Sequence, residues 1–192
     1  MLRCPFVPRA AALAPACLAA AWFASANPAA AAAYRVEPGQ THIDFAIGAK
    51  GYPVTKGEFH RFTARLSIDA AAPARSQVAF DVAAASIDTR APMLDDYVRG
   101  PGFLDTARHP QIAFRSTAVR KLSDNAVELQ GNLTLLGVTR PERFQVTVTP
   151  EGAAFRLVAE GEIRRSDFGM TGGLPVVSDT VTITVSTVAV AQ

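Results

Sequence analysis

The sequence predicts an all-β fold, an antiparallel barrel or sandwich, interrupted by one short helical insertion around residues 92–107. Three observations carry this expectation: apolar residues at every second position, turn chemistry between the runs, and one segment where the alternation stops. Ile43, Phe45 and Ile47 share one parity, followed by Phe62, Ala64, Leu66 and Ile68, then Val78, Phe80 and Val82. Ile112 and Phe114 continue the pattern, and Val127, Leu129, Gly131, Leu133 and Leu135 extend it. Phe144, Val146 and Val148 come next, then Phe155, Leu157, Ala159, Gly161 and Ile163, and last Val181, Ile183 and Val185. A period of two marks a strand with one apolar and one polar face. Ala72-Pro73, Ser123-Asp124-Asn125, Thr149-Pro150-Glu151-Gly152 and Ser178-Asp179 are turn chemistry. Short strands joined by tight turns point to an antiparallel barrel or sandwich. Val188 and Val190 change parity, which predicts a bulge after Val185.

Between Ala91 and Pro110 the alternation stops, and Met93, Leu94, Tyr97 and Val98 recur at helical spacing. Pro92 suits a first helical turn, and Gly100-Pro101-Gly102 ends anything longer, so the helix is expected at 92–99. A second turn is expected at 103–107, after which His109-Pro110 restores extended backbone.

The N-terminus has its own logic. Arg3 and Arg9 precede an apolar stretch from Ala10 to Ala24, and small residues follow to Ala33. A basic region, an apolar core and a small-residue exit describe a secretory signal peptide over 1–33. Cleavage after Ala33 or after Ala26 fits the small-x-small rule, and Ala33 is preferred because Tyr34 opens the first patterned segment. An uncleaved anchor is disfavoured, since alanine is weakly apolar and Pro15 and Pro28 interrupt the run. Removal of 33 residues from 192 leaves one domain of 159, residues 34–192. Cys4 and Cys17 leave with the leader, as do Arg3 and Arg9, so the remaining 17 basic and 17 acidic residues balance. The expected location is the periplasm, and nothing in this charge balance recommends a nucleic-acid partner.

Chemistry is sparse. A chain without cysteine has no thiol catalysis, and no nucleophile elbow, phosphate-cradling glycine loop or paired-histidine zinc helix occurs. Asp95-Asp96 are helix neighbours that point apart, more readily a solvated or capping pair than an acid/base couple. His42 and Asp44 share the polar face of one strand, where they could orient a catalytic imidazole or simply form a surface hydrogen bond. Arg164-Arg165-Ser166-Asp167 could hold an anion, although arginines that tie loops to strands are commoner. No catalytic residue, metal site or cofactor is expected. The apolar face is richer, with nine of the 11 phenylalanines outside the leader. A barrel of about eight strands either fills itself with side chains or holds one small ligand, and periodicity leaves that choice open.

Four stretches carry a resemblance. They are Tyr34-Arg35-Val36 with Thr41-His42-Ile43-Asp44-Phe45 and Gly57-Glu58-Phe59; Phe103-Leu104-Asp105 leading into Arg108-His109-Pro110-Gln111-Ile112; Gly131-Asn132-Leu133-Thr134-Leu135-Leu136-Gly137-Val138-Thr139-Arg140-Pro141; and Ile163-Arg164-Arg165-Ser166-Asp167-Phe168-Gly169-Met170. In that order and spacing the chain resembles the YceI-like family of exported polyisoprenoid-binding proteins, from Tyr34 to Val190. The resemblance implies an eight-stranded antiparallel lipocalin-like barrel with a small helical insertion. It implies a long-chain isoprenoid lipid, or a related isoprenoid quinone, held inside as ligand with no chemistry performed on it. Inward-facing Phe45, Phe62, Phe80, Phe114, Leu133, Leu135 and Phe144 are the expected lipid contacts, with Phe103 and Phe168 at the mouth. Relatives often carry His where Tyr97 and Leu136 stand here, and an acidic residue near Gly102, so this version is more purely apolar. A membrane cytochrome b561-type protein is the partner suggested by the resemblance, and a monomer or homodimer the expected state. Two other readings remain: a solid-core barrel that partners a membrane redox complex, and an enzyme dependent on His42 and Asp44.

Overall fold

The structure, a computed structural model, describes residues 31–192. The expected leader, apart from Ala31 to Ala33, lies outside the described residues.

Among the described residues, eleven strand segments and one α-helix follow one another. They are β1 (Ala32–Val36), β2 (His42–Ala49), β3 (Tyr52–Phe59), β4 (Phe62–Ile68), β5 (Gln77–Ala83) and β6 (Ile87–Asp88). After α1 (Pro92–Arg99) come β7 (Gln111–Ser123), β8 (Ala126–Leu135), β9 (Val138–Glu151), β10 (Ala154–Arg164) and β11 (Val177–Ala191). Three of the barrel's strands are broken in two. A single 3-10 turn at Pro38–Gln40 separates β1 from β2, His60 and Arg61 separate β3 from β4, and another 3-10 turn at Ala84–Ser86 separates β5 from β6. Joined across their breaks, the segments make eight strands, each antiparallel to the next. The last closes on the first: β11 pairs with β2 along Val185↔Ile43 and Ile183↔Phe45, and with β1 along Val36↔Ala189. Closure removes the open edges that would otherwise template aggregation. The fold is an all-β, eight-stranded closed barrel with one helix, as the family resemblance implies; of the two arrangements the alternation allowed, it is the barrel.

Tight hairpins set the register. β7 and β8 meet at Ser123↔Ala126, and β9 and β10 at Glu151↔Ala154. β8 and β9 meet at Leu135↔Val138, leaving Leu136 and Gly137 at φ 53° and 74°. Positive φ at both central residues matches the twist of flanking strands.

Two details of β11 differ from the sequence reading. Ser178-Asp179 is no turn but part of the strand, where the register against β2 shifts between Val177 and Val181. Asp179 lies within this shift, and its carboxylate accepts the Ser166 N–H at 2.9 Å and the Ser166 hydroxyl at 2.7 Å from the 3-10 turn that follows β10. Conversely, there is no bulge after Val185: pairing with β10 runs unbroken from Thr180 to Val190. The parity change reflects Thr187 and Ala189 occupying inward positions, while Val188 is buried on the other side near the Pro38–Gln40 turn.

The helix spans Pro92–Arg99, with proline in its first turn and Gly100 closing it through a bond to the Tyr97 carbonyl. Residues 103–107 form irregular turns, ending where Arg108 and His109 donate to the Asp105 carbonyl. Asp95 and Asp96 do point apart. Asp95 is buried and accepts the Thr89 N–H at 2.8 Å and hydroxyl at 2.7 Å, whereas exposed Asp96 pairs with Arg99 at 3.1 Å. Arg99 also donates to the carbonyls of Ala85 and Ile87, which fastens the helix to the β5–β6 break.

Strand glycines make room for large rings. A Cβ at Gly131 would stand 2.6 Å from the Arg115 carbonyl oxygen and against the Phe114 ring; at Gly161 it would meet Phe144, and at Gly57 Phe45, each at 2.6 Å. The rings therefore lie over neighbouring backbone and leave the barrel axis free. Gly131→Ala should cost about 1–3 kcal/mol by overpacking, read as a lowered urea midpoint. Gly48→Ala, where a Cβ meets nothing within 4 Å, is the comparison and should change much less.

Candidate functional site

The inward parity of the strands surrounds space. A cavity of about 580 Å³ runs through the barrel, within the ~300–1,000 Å³ typical of sites that bury a small ligand. Periodicity alone left a packed interior open, and the structure shows a hollow one. Phe45, Phe80, Phe103, Phe114, Leu133, Leu135 and Phe144 all line the cavity, as their parity or their place near the helix predicts. Phe114 and Phe144 meet edge to face, with centroids 5.4 Å apart.

Phe62 and Phe168 stand elsewhere. The Phe62 ring packs 6.1 Å from that of Phe80 and borders a separate shallow depression between β1 and β4. Phe168 is 1% exposed and packed into the core from the 3-10 turn that follows β10, off the cavity wall.

The two ends of the cavity differ. At one end, where β4 and β7 run out, Asp69, Lys121 and Asp124 reach the wall. Asp69 is paired with Arg75 at 2.6 Å, and Lys121 with Asp124 at 2.8 Å. The Ala72 N–H, aided by Arg75 and opposed by burial, holds the Asp69 carboxyl below its ordinary pKa. At the other end, Tyr97 and Phe103 pack with centroids 5.0 Å apart, and Met93, Tyr97, Leu174 and Val176 are apolar residues left exposed.

That second end also holds a residue the sequence reading weighed only as one of a quartet. Arg165 lines the cavity yet is 1% exposed. Its Nε donates to the Ser178 carbonyl at 2.7 Å, Nη1 to Gly172 at 2.6 Å and Met170 at 3.3 Å, and Nη2 to Val177 at 3.2 Å. The guanidinium carbon lies 5.9 Å from the Phe103 ring centre. Burial pulls its pKa down, opposed by Asp179, but a guanidinium stays charged in proteins. Arg164 turns outward to Asp179 at 3.3 Å, and the Asp167 carbonyl accepts from Arg140 at 3.1 Å. The quartet ties the loop before β11 to its neighbours and does not present an open anion cradle.

His42 and Asp44 are not brought together as a pair, and Asp44, expected on the outer face, borders the cavity. The His42 ring is more than half exposed and turns toward Glu58, 3.8 Å away. Its strand neighbours Ile43 and Phe45 face the cavity, so alternation directs His42 away from it.

The comparisons agree with this geometry. The YceI-like domain family matches residues 34–189. A UPF0312 protein of Pectobacterium atrosepticum is 33% identical over 184 residues, covering 91% of this chain and 94% of that relative. Protein YceI of Escherichia coli O17:K52:H18 is 33% identical over 178 residues, covering 88% and 92%. Among solved structures, BcnA of Burkholderia cenocepacia has a TM-score of 0.75 at 27% identity, over 80% of this chain and 99% of its own. A polyisoprenoid binding domain from Saccharophagus degradans shares the fold, with a TM-score of 0.65 at 16% identity over 84% and 99%. A matched domain spanning nearly all the described residues and relatives at one-third identity over most of their length lead to one conclusion: this chain belongs to the YceI-like domain family.

Proposed function

We propose that this chain binds one long apolar lipid of the polyisoprenoid class, isoprenoid quinones included, inside the barrel and carries it chemically unchanged. The apolar cavity reaching from the Phe103 end to the Lys121 end is the observation that supports this reading most. The shared fold with a polyisoprenoid binding domain supports it further. At ~30 Å³ for each water-sized group, the cavity takes roughly 20 chain atoms. At ~0.3 kcal/mol per atom these contribute about 6 kcal/mol, whereas ~40 enclosed atoms would reach about 12 kcal/mol, nanomolar binding. The longer tail requires the barrel to widen or the chain end to leave through a mouth.

The leader over 1–33 directs the protein to the periplasm in this proposal, with cleavage after Ala33. Ala32 and Ala33 pair with Ile68 and Ser67 in β1, so cleavage after Ala26 would keep two register pairs that cleavage after Ala33 removes.

Native mass spectrometry of the protein purified from its own periplasm tests the proposal. One lipid mass per chain, in the range of a polyprenyl compound, is the expected result; uniformly lipid-free protein would sink it. His42→Ala should keep the same lipid at nearly the same content, with stability changed by about 1 kcal/mol at most, the scale of one hydrogen bond. A modified lipid released by the wild type but not by His42→Ala would instead point to an enzyme.

A further inference from the structure

The outer face of β2, β3 and β6 carries an arrangement that the lipid reading does not use. Glu58 is the direct cross-strand partner of Asp44 on one side and of Asp88 on the other. Directly opposed like charges destabilise paired strands. Among the described residues, no lysine or arginine lies within ion-pair distance of Glu58 or Asp88. Their ion-pair partners are histidines: His60 Nε2 lies 3.1 Å from Asp88 Oδ2 and 3.7 Å from Glu58 Oε1, and His42 Nδ1 lies 3.8 Å from Glu58 Oε2. Arg90 acts on Asp88 through its main chain, donating its N–H to Oδ1 at 2.6 Å, and through its side-chain charge only at longer range.

We propose that Glu58, His60 and Asp88 bind a divalent transition-metal ion of the zinc class, with His42 beside them as a further nitrogen donor. One ligand atom from each of the three residues lies within 4.8 Å of the others. Zinc at bonds of about 2.0–2.2 Å in tetrahedral geometry sets its ligand atoms roughly 3.3 Å apart. Two of the observed distances, 3.1 and 3.7 Å, bracket that value. The side chains are 25–51% exposed and have room to close the rest. Imidazole with carboxylate oxygens favours zinc, nickel or copper over calcium and magnesium, which prefer oxygen alone. Asp88 is already oriented: the Arg90 N–H holds one carboxylate oxygen and leaves the other to His60, the kind of outer support that positions metal ligands.

The place in the fold adds to the argument. The cluster lies beside the three breaks between β1 and β2, β3 and β4, and β5 and β6. A bound ion would join β3 to β6, whose pairing consists of Glu58↔Asp88 and Phe59↔Ile87 alone. The site is independent of whether a lipid fills the interior.

Calorimetric titration of the purified full chain with ZnCl2, after alkylation of Cys4 and Cys17 to remove their thiolates, tests the assignment. One zinc per chain is expected, together with a raised melting temperature. His60→Ala and Glu58→Gln should each weaken binding by more than about a hundredfold, beyond the ~10–100-fold that loss of an outer-sphere contact costs. His109→Ala, which changes a histidine outside the cluster, should bind like the wild type. Both cluster variants alter partly exposed side chains, and either one alone decides the comparison if the other folds poorly. No zinc binding by the wild type, or undiminished binding by His60→Ala or Glu58→Gln, overturns the proposal.

Discussion

Phe114→Arg, and to a lesser degree Phe114→Trp, should cut the lipid recovered per chain by about tenfold or more, equivalent to at least ~1.4 kcal/mol of binding. Phe114 sits on β7 between Phe80 of β5 and Leu133 of β8, and all three side chains face the cavity. Its ring is held on one side by Phe144 and lies over Gly131. A larger side chain at this position has the cavity to expand into, so the added atoms displace lipid before they strain the wall. The guanidinium of the arginine variant would also place a charge among apolar groups, which is costly unless it reaches water or a partner. In a solid core the same changes would act chiefly on stability, with overpacking costing about 1–3 kcal/mol. Lipid content and urea midpoint, measured on the same samples, separate the two effects. Unchanged lipid with a much lower midpoint would show that Phe114 only packs the wall.

Most of the barrel was legible because a strand with one apolar face writes its period into the sequence. Every run that alternates over three or more positions, from Ile43 to Val185, became a strand with that parity turned inward. What escaped has physical causes. β3 carries Val54, Lys56 and Glu58 on one parity and Pro53, Thr55, Gly57 and Phe59 on the other, so neither face reads as apolar. Gly57 is there because the Phe45 ring fills the space its side chain would need. β6 is two residues long and has no period. Ser178-Asp179 has turn composition because aspartate and serine favour local hydrogen bonds; here Asp179 makes them to Ser166 in the 3-10 turn that follows β10.

The site was legible in proportion to its dependence on alternation. Phe45, Phe80, Phe114, Leu133, Leu135 and Phe144 follow from strand parity, and all reach the cavity. Phe62 shares the inward parity of β4 but stands where β1 takes over from β2, and packs on Phe80 instead. Phe168 lies in a 3-10 turn, where a period of two says nothing about direction. The cluster of Glu58, His60 and Asp88 hid for another reason. Sequence scanning finds ligands spaced along one element, and here two strands must pair before the third ligand arrives, 28 residues after His60.

The largest expected loss of stability comes from Arg165→Met, which should lower the unfolding free energy by about 3–5 kcal/mol, the scale of breaking a buried charged contact. Arg165 is nearly inaccessible, and its guanidinium donates to four carbonyls, those of Met170, Gly172, Val177 and Ser178. Methionine matches much of its length but has no donor, so carbonyls that now share one cation lose it. Each buried acceptor left without a partner costs about 1–3 kcal/mol, less whatever water recovers. Lysine would fare better but not well, because a compact ammonium with three donors cannot span the fork that a planar guanidinium covers. Arg164→Ala, one residue away, is the contrast: the Arg164 side chain is 68% exposed where it pairs with Asp179, and pairs with so exposed a partner contribute about 0–1 kcal/mol. The same loop forms one end of the cavity, with Gly172 bonded to the Gly102 carbonyl beneath Phe103. Loosening it should therefore speed lipid release as well as lower the urea midpoint. Release into excess lipid vesicles would be followed alongside the denaturation curves for all three variants. A midpoint for Arg165→Met within the range of Arg164→Ala would mean that water replaces the guanidinium and that the buried charge is not what fastens this end of the barrel.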